Sequence, residues 1–289
     1  MKLTMTTLLA LILVLPLAAQ NDSLVIMFWN VENFFDWTDS GTGDSDREFS
    51  AEGSRHWTKG RFYAKCSGVA KEILRVADSY GRLPDAIGLA EVENSFVVKQ
   101  ILRSTALRKI DYKFAHFESP DHRGIDCALI YRESTLGRCR ALAKHIYDST
   151  GALMTTRDIL VAEFDSLSVL VNHHPSKVGG KSDRREAAMA RMTQVRDSLG
   201  GRTLCIGDFN DDVWGVPSEG TIKYNGAWEK IDGCFARGFS EVSEKVFSDP
   251  VLMTPDKGFG GLKPLRTYSG PRYLGGISDH LPVVVTVFF

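Results

Sequence analysis

Apolar residues run almost unbroken over 24–30 (LVIMFWN) and again, after Pro84, through AIGLAEV at 86–92, as strands buried on both faces do. Between them Val69, Ile73, Leu74 and Ala77 recur at helical spacing within Tyr63–Tyr80, and Gly81 supplies a stop, so a helix is predicted there. A second helix is predicted over Phe96–Leu107. Strand-like runs follow at 112–117, 125–131, 159–164 and 167–172. Residues 182–199 read as a helix, LCIGDF at 204–209 as a strand and LPVVVTVFF at 281–289 as a terminal strand. Short strands interleaved with a few helices predict a layered α/β fold. No Pro- or Ser-rich linker and no internal repeat divides residues 21–289, which therefore read as one domain.

Residues 1–20 stand apart. Lys2 is their only charge, the apolar run covers Leu8 to Leu17, and Ala18 and Ala19 follow, which is the shape of a secretory signal. The run is shorter than the ~20 residues a bilayer span needs, and no cysteine lies beside the cleavage position to take a lipid. A secreted or periplasmic location is expected, with no integral membrane segment once the signal is removed.

Composition adds exclusions. Of 289 residues 43% are hydrophobic, which excludes a disordered chain. With 35 Lys+Arg against 36 Asp+Glu the net charge is -1, so there is no global attraction to nucleic acid or membrane. The sum conceals local bias. Asp36–Glu52 holds six acids and one Arg; its Asp39, Asp44 and Asp46 lack EF-hand spacing and read as a solvated loop. Basic stretches occupy 55–65, 176–185 and 263–272. Five cysteines are scattered without a CxxC; the odd count leaves at least one free or paired between chains.

Polar residues mark the strand ends. Asn30 closes LVIMFWN, Glu91 follows IGLA, His173 and His174 follow LSVLVN, Asp208 and Asn210 follow LCIG, and Asp279 and His280 precede LPVVV. Rigid strands that deliver carboxylates, amides and imidazoles into loops are where such a fold builds a site. GGKS at 179–182 imitates the end of a P-loop, but Pro175 occupies the upstream glycine position. No GxSxG, HExxH or GxGxxG occurs.

WN at 29–30, GLAEVEN at 88–94, NHHPSKVGG at 172–180, GDFND at 207–211 and SDHLPV at 278–283 appear in the order found in the endonuclease/exonuclease/phosphatase family, and the chain resembles its secreted bacterial branch. The resemblance implies a four-layer α/β/β/α sandwich, two mixed sheets face to face with helices outside, and metal-dependent phosphoester hydrolysis. It implies Asn30, Glu91 and Asp279 as metal ligands, with Mg2+ expected and Mn2+ or Ca2+ as alternatives. It implies Asp208 to orient or deprotonate water, Asn210 to donate to a phosphate oxygen, and His280 to stabilise the transition state or act as base. Asp232 in WEKIDGCF would fix the His280 tautomer. His173 would act as general acid with Asp126 as its carboxylate partner, while strand alternation turns His174 away.

The chemistry suits these residues. An anionic phosphodiester needs a cation to neutralise developing charge, and Mg2+ takes oxygen ligands while keeping several waters. Lys177, Arg184 and Arg266, in basic stretches beside site motifs, are candidates for phosphate binding. Tyr268 and Tyr273 either stack on bases or pack internally. The expectation is a monomeric phosphodiesterase or nuclease acting on nucleic acid. Its alternatives are a sphingomyelinase-type lipid phosphodiesterase, for which no apolar membrane hairpin is evident, a phosphatase of inositol or sugar phosphates, and a non-catalytic binding protein.

Overall fold

In a computed structural model the described residues are 23–41, 43–177, 182–211 and 220–289. The proposed export signal at 1–20 and, apart from Ser182, the P-loop look-alike lie outside them. Two mixed sheets form the body. The first runs β10–β11–β1–β2–β4–β3, from β1 (Ser23–Phe34), β2 (Ala86–Val92), β3 (Tyr112–His116), β4 (Asp126–Arg132), β10 (Glu241–Val246) and β11 (Val283–Phe288). The second runs β9–β8–β7–β6–β5, from β5 (Arg140–Lys144), β6 (Ile159–Glu163), β7 (Ser168–His173), β8 (Thr203–Asp208) and β9 (Asp232–Arg237). Only the β1–β2 and β7–β8 pairs are parallel within these sheets.

The strand period explains the layers. Alternate residues of β1 (Leu24, Ile26, Phe28), β4 (Cys127, Leu129), β7 (Val169, Val171), β8 (Leu204, Ile206) and β11 (Val283, Val285, Val287) meet in the core between the sheets. The intervening residues of β1, β2 and β4 face outward onto α1 (Lys59–Tyr80) and α2 (Ser95–Arg103), which bury Phe62, Val69, Ile73, Val97 and Ile101. Ala188, Met192 and Val195 of α3 (Ser182–Leu199) cover the outside of the second sheet. The result is the expected α/β/β/α sandwich.

The boundaries follow local chemistry. α1 begins four residues before the predicted start because Thr58 caps it, accepting from the Arg61 N–H, and it ends at Gly81, whose φ of 68° closes the helix. α2 stops at Arg103, short of the predicted Leu107, and Thr105 caps a separate 3-10 turn at Ala106–Lys109. β5, β9 and β10 escaped the sequence reading: RALAK is a half-buried and EVSEKV a mostly exposed edge strand, with no apolar run to announce them. All five cysteines are free thiols, three of them buried. No helix among the described residues is long and apolar enough to cross a membrane.

Candidate active site

Most of the strand-end residues follow from which face of a strand they continue. Asn30 extends the inward row Leu24, Ile26, Phe28, His173 extends Val169 and Val171, and Asp208 extends Leu204 and Ile206. Asp232 stands opposite Asp208 in the β8–β9 ladder. Both sheets therefore deliver their inward rows, as polar side chains, to one end of the sandwich.

Glu91 arrives differently. Ile87 and Leu89 face the helices, and plain alternation would carry Glu91 outward with them. Its φ is +64°, and the ladders to β1 and β4 shift register beside it, so Val92 takes the outward place. A bulge of this kind re-aims a side chain. Glu32, Asn33 and Asn210 also hold positive φ, and such strained backbone concentrates at functional sites.

The cluster is tightly bonded. Asn30 Nδ2 donates to Asp208 Oδ2 at 3.0 Å, and the Asn210 N–H donates to Asp208 Oδ1 at 3.0 Å. His280 Nδ1 and Asp232 Oδ2 are 2.8 Å apart, while His280 Nε2 lies 3.9 Å from Asp208 and 4.0 Å from Asp279. His173 Nε2 is 3.6 Å from Asp208 Oδ2 and 3.8 Å from Glu91 Oε1. Ser278 ties two strands together, its Oγ donating to the Asn30 carbonyl at 2.6 Å and accepting from the His280 N–H at 3.0 Å.

The two buried imidazoles are driven in opposite directions. Burial disfavours a charge on His280, yet the carboxylates of Asp232, Asp208 and Asp279 outweigh it and raise its proton affinity well above the ordinary imidazole value. Burial, then the positive charges of Arg157 and Arg123, push His173 well below that value. Burial and then the Asp232 carboxylate push Asp208 up to about 7. At Glu91 burial acts upward, but Arg123, the Asn33 N–H, His280 and Arg157 together hold it below the usual range.

These residues suit a hard divalent cation. Glu91 is held ionised, its Oε2 accepts from the Asn33 N–H at 2.7 Å, and its Oε1 accepts no hydrogen bond among the described residues. The Asn30 carboxamide lies on the neighbouring strand, its Oδ1 accepting from the Glu32 N–H at 3.0 Å. Asp232, on the second sheet, has a buried Oδ1 that is also unpartnered among the described residues. Asp208, Asp232 and His280 offer ligand atoms within 4.8 Å of one another. Ionised oxygens with open lone pairs beside an amide are the donors such a cation takes.

Other expected residues lie elsewhere or are already engaged. Asp126 does not partner His173: it shares the outward face of β4 with Ala128 and Ile130, whereas His173 faces inward. Its carboxylate accepts from the Ser119 N–H at 2.9 Å and sits 3.2 Å from His116. Arg184 donates to the Thr155 carbonyl in a groove between α3 and residues 147–155, not beside the carboxylates. Lys177 pairs with Glu229 at 2.9 Å. Arg266 bridges Glu32 at 3.1 Å and Asp279 at 2.8 Å, so it neutralises carboxylates at the rim of the site. Asn210 Nδ2 donates to the His174 carbonyl. The His174 ring turns outward onto Phe209, centroids 5.1 Å apart. Tyr268 is buried and Tyr273 half-buried against Trp57, with the Arg61 guanidinium 4.3 Å over the Tyr273 ring, so packing accounts for both.

The sequence reading gave no site role to Arg157, Arg123, Glu32 or Lys65, the last noted only as part of the basic stretch 55–65. Arg157 is buried, donates to the carbonyls of His173 and His174 at 3.2 and 2.5 Å, and pairs with Asp121 at 3.0 Å. Standing alone in TTRDIL, it had no motif to mark it. Lys65 reaches from α1 to the Glu32 carbonyl and Thr267 Oγ1.

Matches to known proteins bear on this arrangement. The model of the Endonuclease/Exonuclease/phosphatase family matches residues 25–223 and 218–288. The chain belongs to that family of phosphoester hydrolases. No curated protein matches it by sequence. Among solved structures it is similar to TDP2 from Caenorhabditis elegans, at 14% identity and a TM-score of 0.55, covering 92% of this chain and 74% of that one. It is similar to an endonuclease/exonuclease/phosphatase family protein from Bacteroides thetaiotaomicron at 15% identity and a TM-score of 0.55, covering 92% and 98%. D. rerio TDP2 complexed with a single-strand DNA product follows at 17% identity and a TM-score of 0.51, covering 92% and 99%. At these identities the likeness is one of fold.

Proposed function

We propose that the chain is a divalent-cation-dependent phosphodiester hydrolase acting on nucleic acid, exported from the cell and working as a monomer. The observation that carries this reading is the convergence of Asn30, Glu91, His173, Asp208, Asp232 and His280 at one end of the sandwich. A single-strand DNA product in D. rerio TDP2, a protein of the same fold, favours nucleic acid over other phosphoesters.

Glu91, with Asn30 and Asp279 beside it, would hold the cation, which when bound neutralises charge developing on the phosphoryl oxygens. Mg2+ suits an all-oxygen donor set, with Mn2+ or Ca2+ as alternatives. Asp208, fixed by Asn30 and the Asn210 N–H, orients the attacking water and takes its proton. Asp232 holds the His280 ring by Nδ1, so that Nε2 faces the reacting phosphate and stabilises its added negative charge. His173 contributes Nε2, close to Asp208 Oδ2 and next to Glu91. The second N–H of the Asn210 amide remains to donate to a phosphate oxygen.

A lipid phosphodiester is the second reading, favoured by one observation absent from the sequence reading. Tyr224, Phe259 and Leu262 are all strongly exposed on two adjoining segments, residues 222–229 and 253–264, and Phe259 lies against Gly226. One assay separates the two. The purified protein is offered plasmid DNA, RNA, sphingomyelin and a generic phosphate bis-ester with Mg2+, and again with EDTA. Cleavage of nucleic acid in Mg2+ alone is expected. Intact nucleic acid beside cleaved sphingomyelin would transfer the assignment to lipid, and activity undiminished by EDTA would remove the cation from it.

A further inference from the structure

His116 closes β3, Asp126 opens β4, and the two strands pair with His116 opposite Ala128. By alternation His116 and Asp126 share the outward face of the first sheet with Phe114, Ala128 and Ile130, away from the inward-facing cluster around Asp208. The His116 side chain is 3% exposed and that of Asp126 3%, whereas that of Glu118 is 74% exposed. His116 Nε2 is buried without a hydrogen-bond partner. It lies 3.2 Å from Asp126 Oδ2, close enough for an ion pair but without hydrogen-bond alignment, and Nδ1 lies 3.9 Å from Glu118 Oε1. A buried imidazole nitrogen with no partner is costly to leave unmade. A cation beside Asp126 would give that nitrogen its partner.

We propose that His116, Glu118 and Asp126 form a second metal site, distinct from the strand-end cluster, for a borderline divalent cation of the Zn2+ class. One ligand atom from each lies within 4.8 Å of the others. A tetrahedron with bonds of about 2.0–2.1 Å has edges of about 3.3–3.4 Å, so the 3.2 Å separation of His116 Nε2 and Asp126 Oδ2 already matches one edge. The exposed Glu118 needs only a side-chain rotation to supply the third ligand, and the open side it covers leaves room for water as the fourth. The donor set sorts the metals. An imidazole with two carboxylates suits Zn2+ or Co2+, while Mg2+, which prefers oxygen and its own waters, suits the Glu91 side of the molecule. The site stands or falls independently of the hydrolase reading.

The test is Zn2+ binding to the chelator-stripped protein by calorimetry, with Co2+ replacing Zn2+ for its visible d–d absorption. The wild type is expected to bind one equivalent that Glu91→Gln leaves in place, that Glu118→Gln weakens at least roughly tenfold, as loss of a direct ligand demands, and that His116→Ala removes along with the Co2+ bands. Circular dichroism checks the fold of each variant. If His116→Ala fails to fold, Glu118→Gln decides alone, because its exposed side chain supports no packing. Zn2+ affinity unchanged in Glu118→Gln, or an equivalent lost only in Glu91→Gln, or no Zn2+ bound by the wild type, overturns the proposal.

Discussion

His173 and His280 are both buried, both within 4 Å of the same Asp208 carboxylate, and opposite in proton affinity. Burial alone would push both down. Their surroundings decide the difference: His280 faces Asp232 at 2.8 Å with Asp208 and Asp279 beyond, while His173 has Arg157 and Arg123 among its neighbours. Asp208 thus has two imidazole neighbours whose proton affinities are driven in opposite directions. The comparison teaches that residue type at a strand end states which chemistry is available, and that the charges behind each ring state which of its forms is present.

The comparison breaks most completely when the cationic side is removed. His280→Ala is expected to lower kcat/KM for phosphodiester cleavage by about 10²–10⁴-fold, with the circular dichroism spectrum unchanged; full activity in this variant would remove His280 from the site. Loss of Asp232 is milder and more informative. Asp232→Asn removes the charge that most raises His280, so its imidazole should titrate at lower pH by NMR. Because the imidazolium is the form that stabilises negative charge, the alkaline limb of the pH–rate profile should move to lower pH with it.

Arg157 tests the neutral side. Its guanidinium is 6% exposed and pairs with an Asp121 that is 1% exposed. Arg157→Met removes one of two guanidinium partners of that carboxylate, leaving the Arg123 N–H at 3.0 Å and the Arg123 guanidinium at 3.8 Å. It should cost about 1–3 kcal/mol in denaturant unfolding, with Asp121→Asn in the same chain recovering part of it. In the double variant the His173 titration should move upward towards the ordinary value. An unmoved His173 would mean that burial alone sets it.

Glu93, two residues past Glu91 and belonging to neither side, supplies a control on linkage. Burial and its contact with Asp46 push it from 4.5 to about 9. The folded chain therefore holds this proton more tightly than the unfolded one, so the stability is fully present below pH 4.5 and is lost as pH rises towards about 9. Glu93→Gln should flatten that part of the melting-temperature profile. The smallest effect expected is that of Arg184→Ala: bound to the Thr155 carbonyl, Arg184 should leave cleavage rates within about twofold of wild type.

Much of the site was legible from the chain. Asn30, Glu91, Asp208, Asp279 and His280 were visible because an apolar run ending in a polar residue marks both a strand and its exit, and the inward rows of β1 and β8 continue straight into Asn30 and Asp208. That Asp126 does not reach His173, whose Nδ1 has no hydrogen-bond partner among the described residues, was not legible. Asp126 has the right residue type and a strand-end position, but the β4 alternation sends it to the outer face. Arg157 was equally invisible, since its contacts lie 16 and 17 residues along the chain and no local period encodes them.

By itself the residue pattern determined a layered α/β fold and the kinds of groups at the strand ends, because burial of alternating apolar residues and helical spacing are local consequences of backbone geometry. The pairing of two sheets face to face came from the family resemblance. Only the tertiary structure decided which of those groups meet. The left-handed bulge that turns Glu91 inward, the face that separates Asp126 from His173, and the charges that set two histidines apart arise between strands. Electrostatics at these distances depends on neighbours in space, and one residue of register is enough to exchange them.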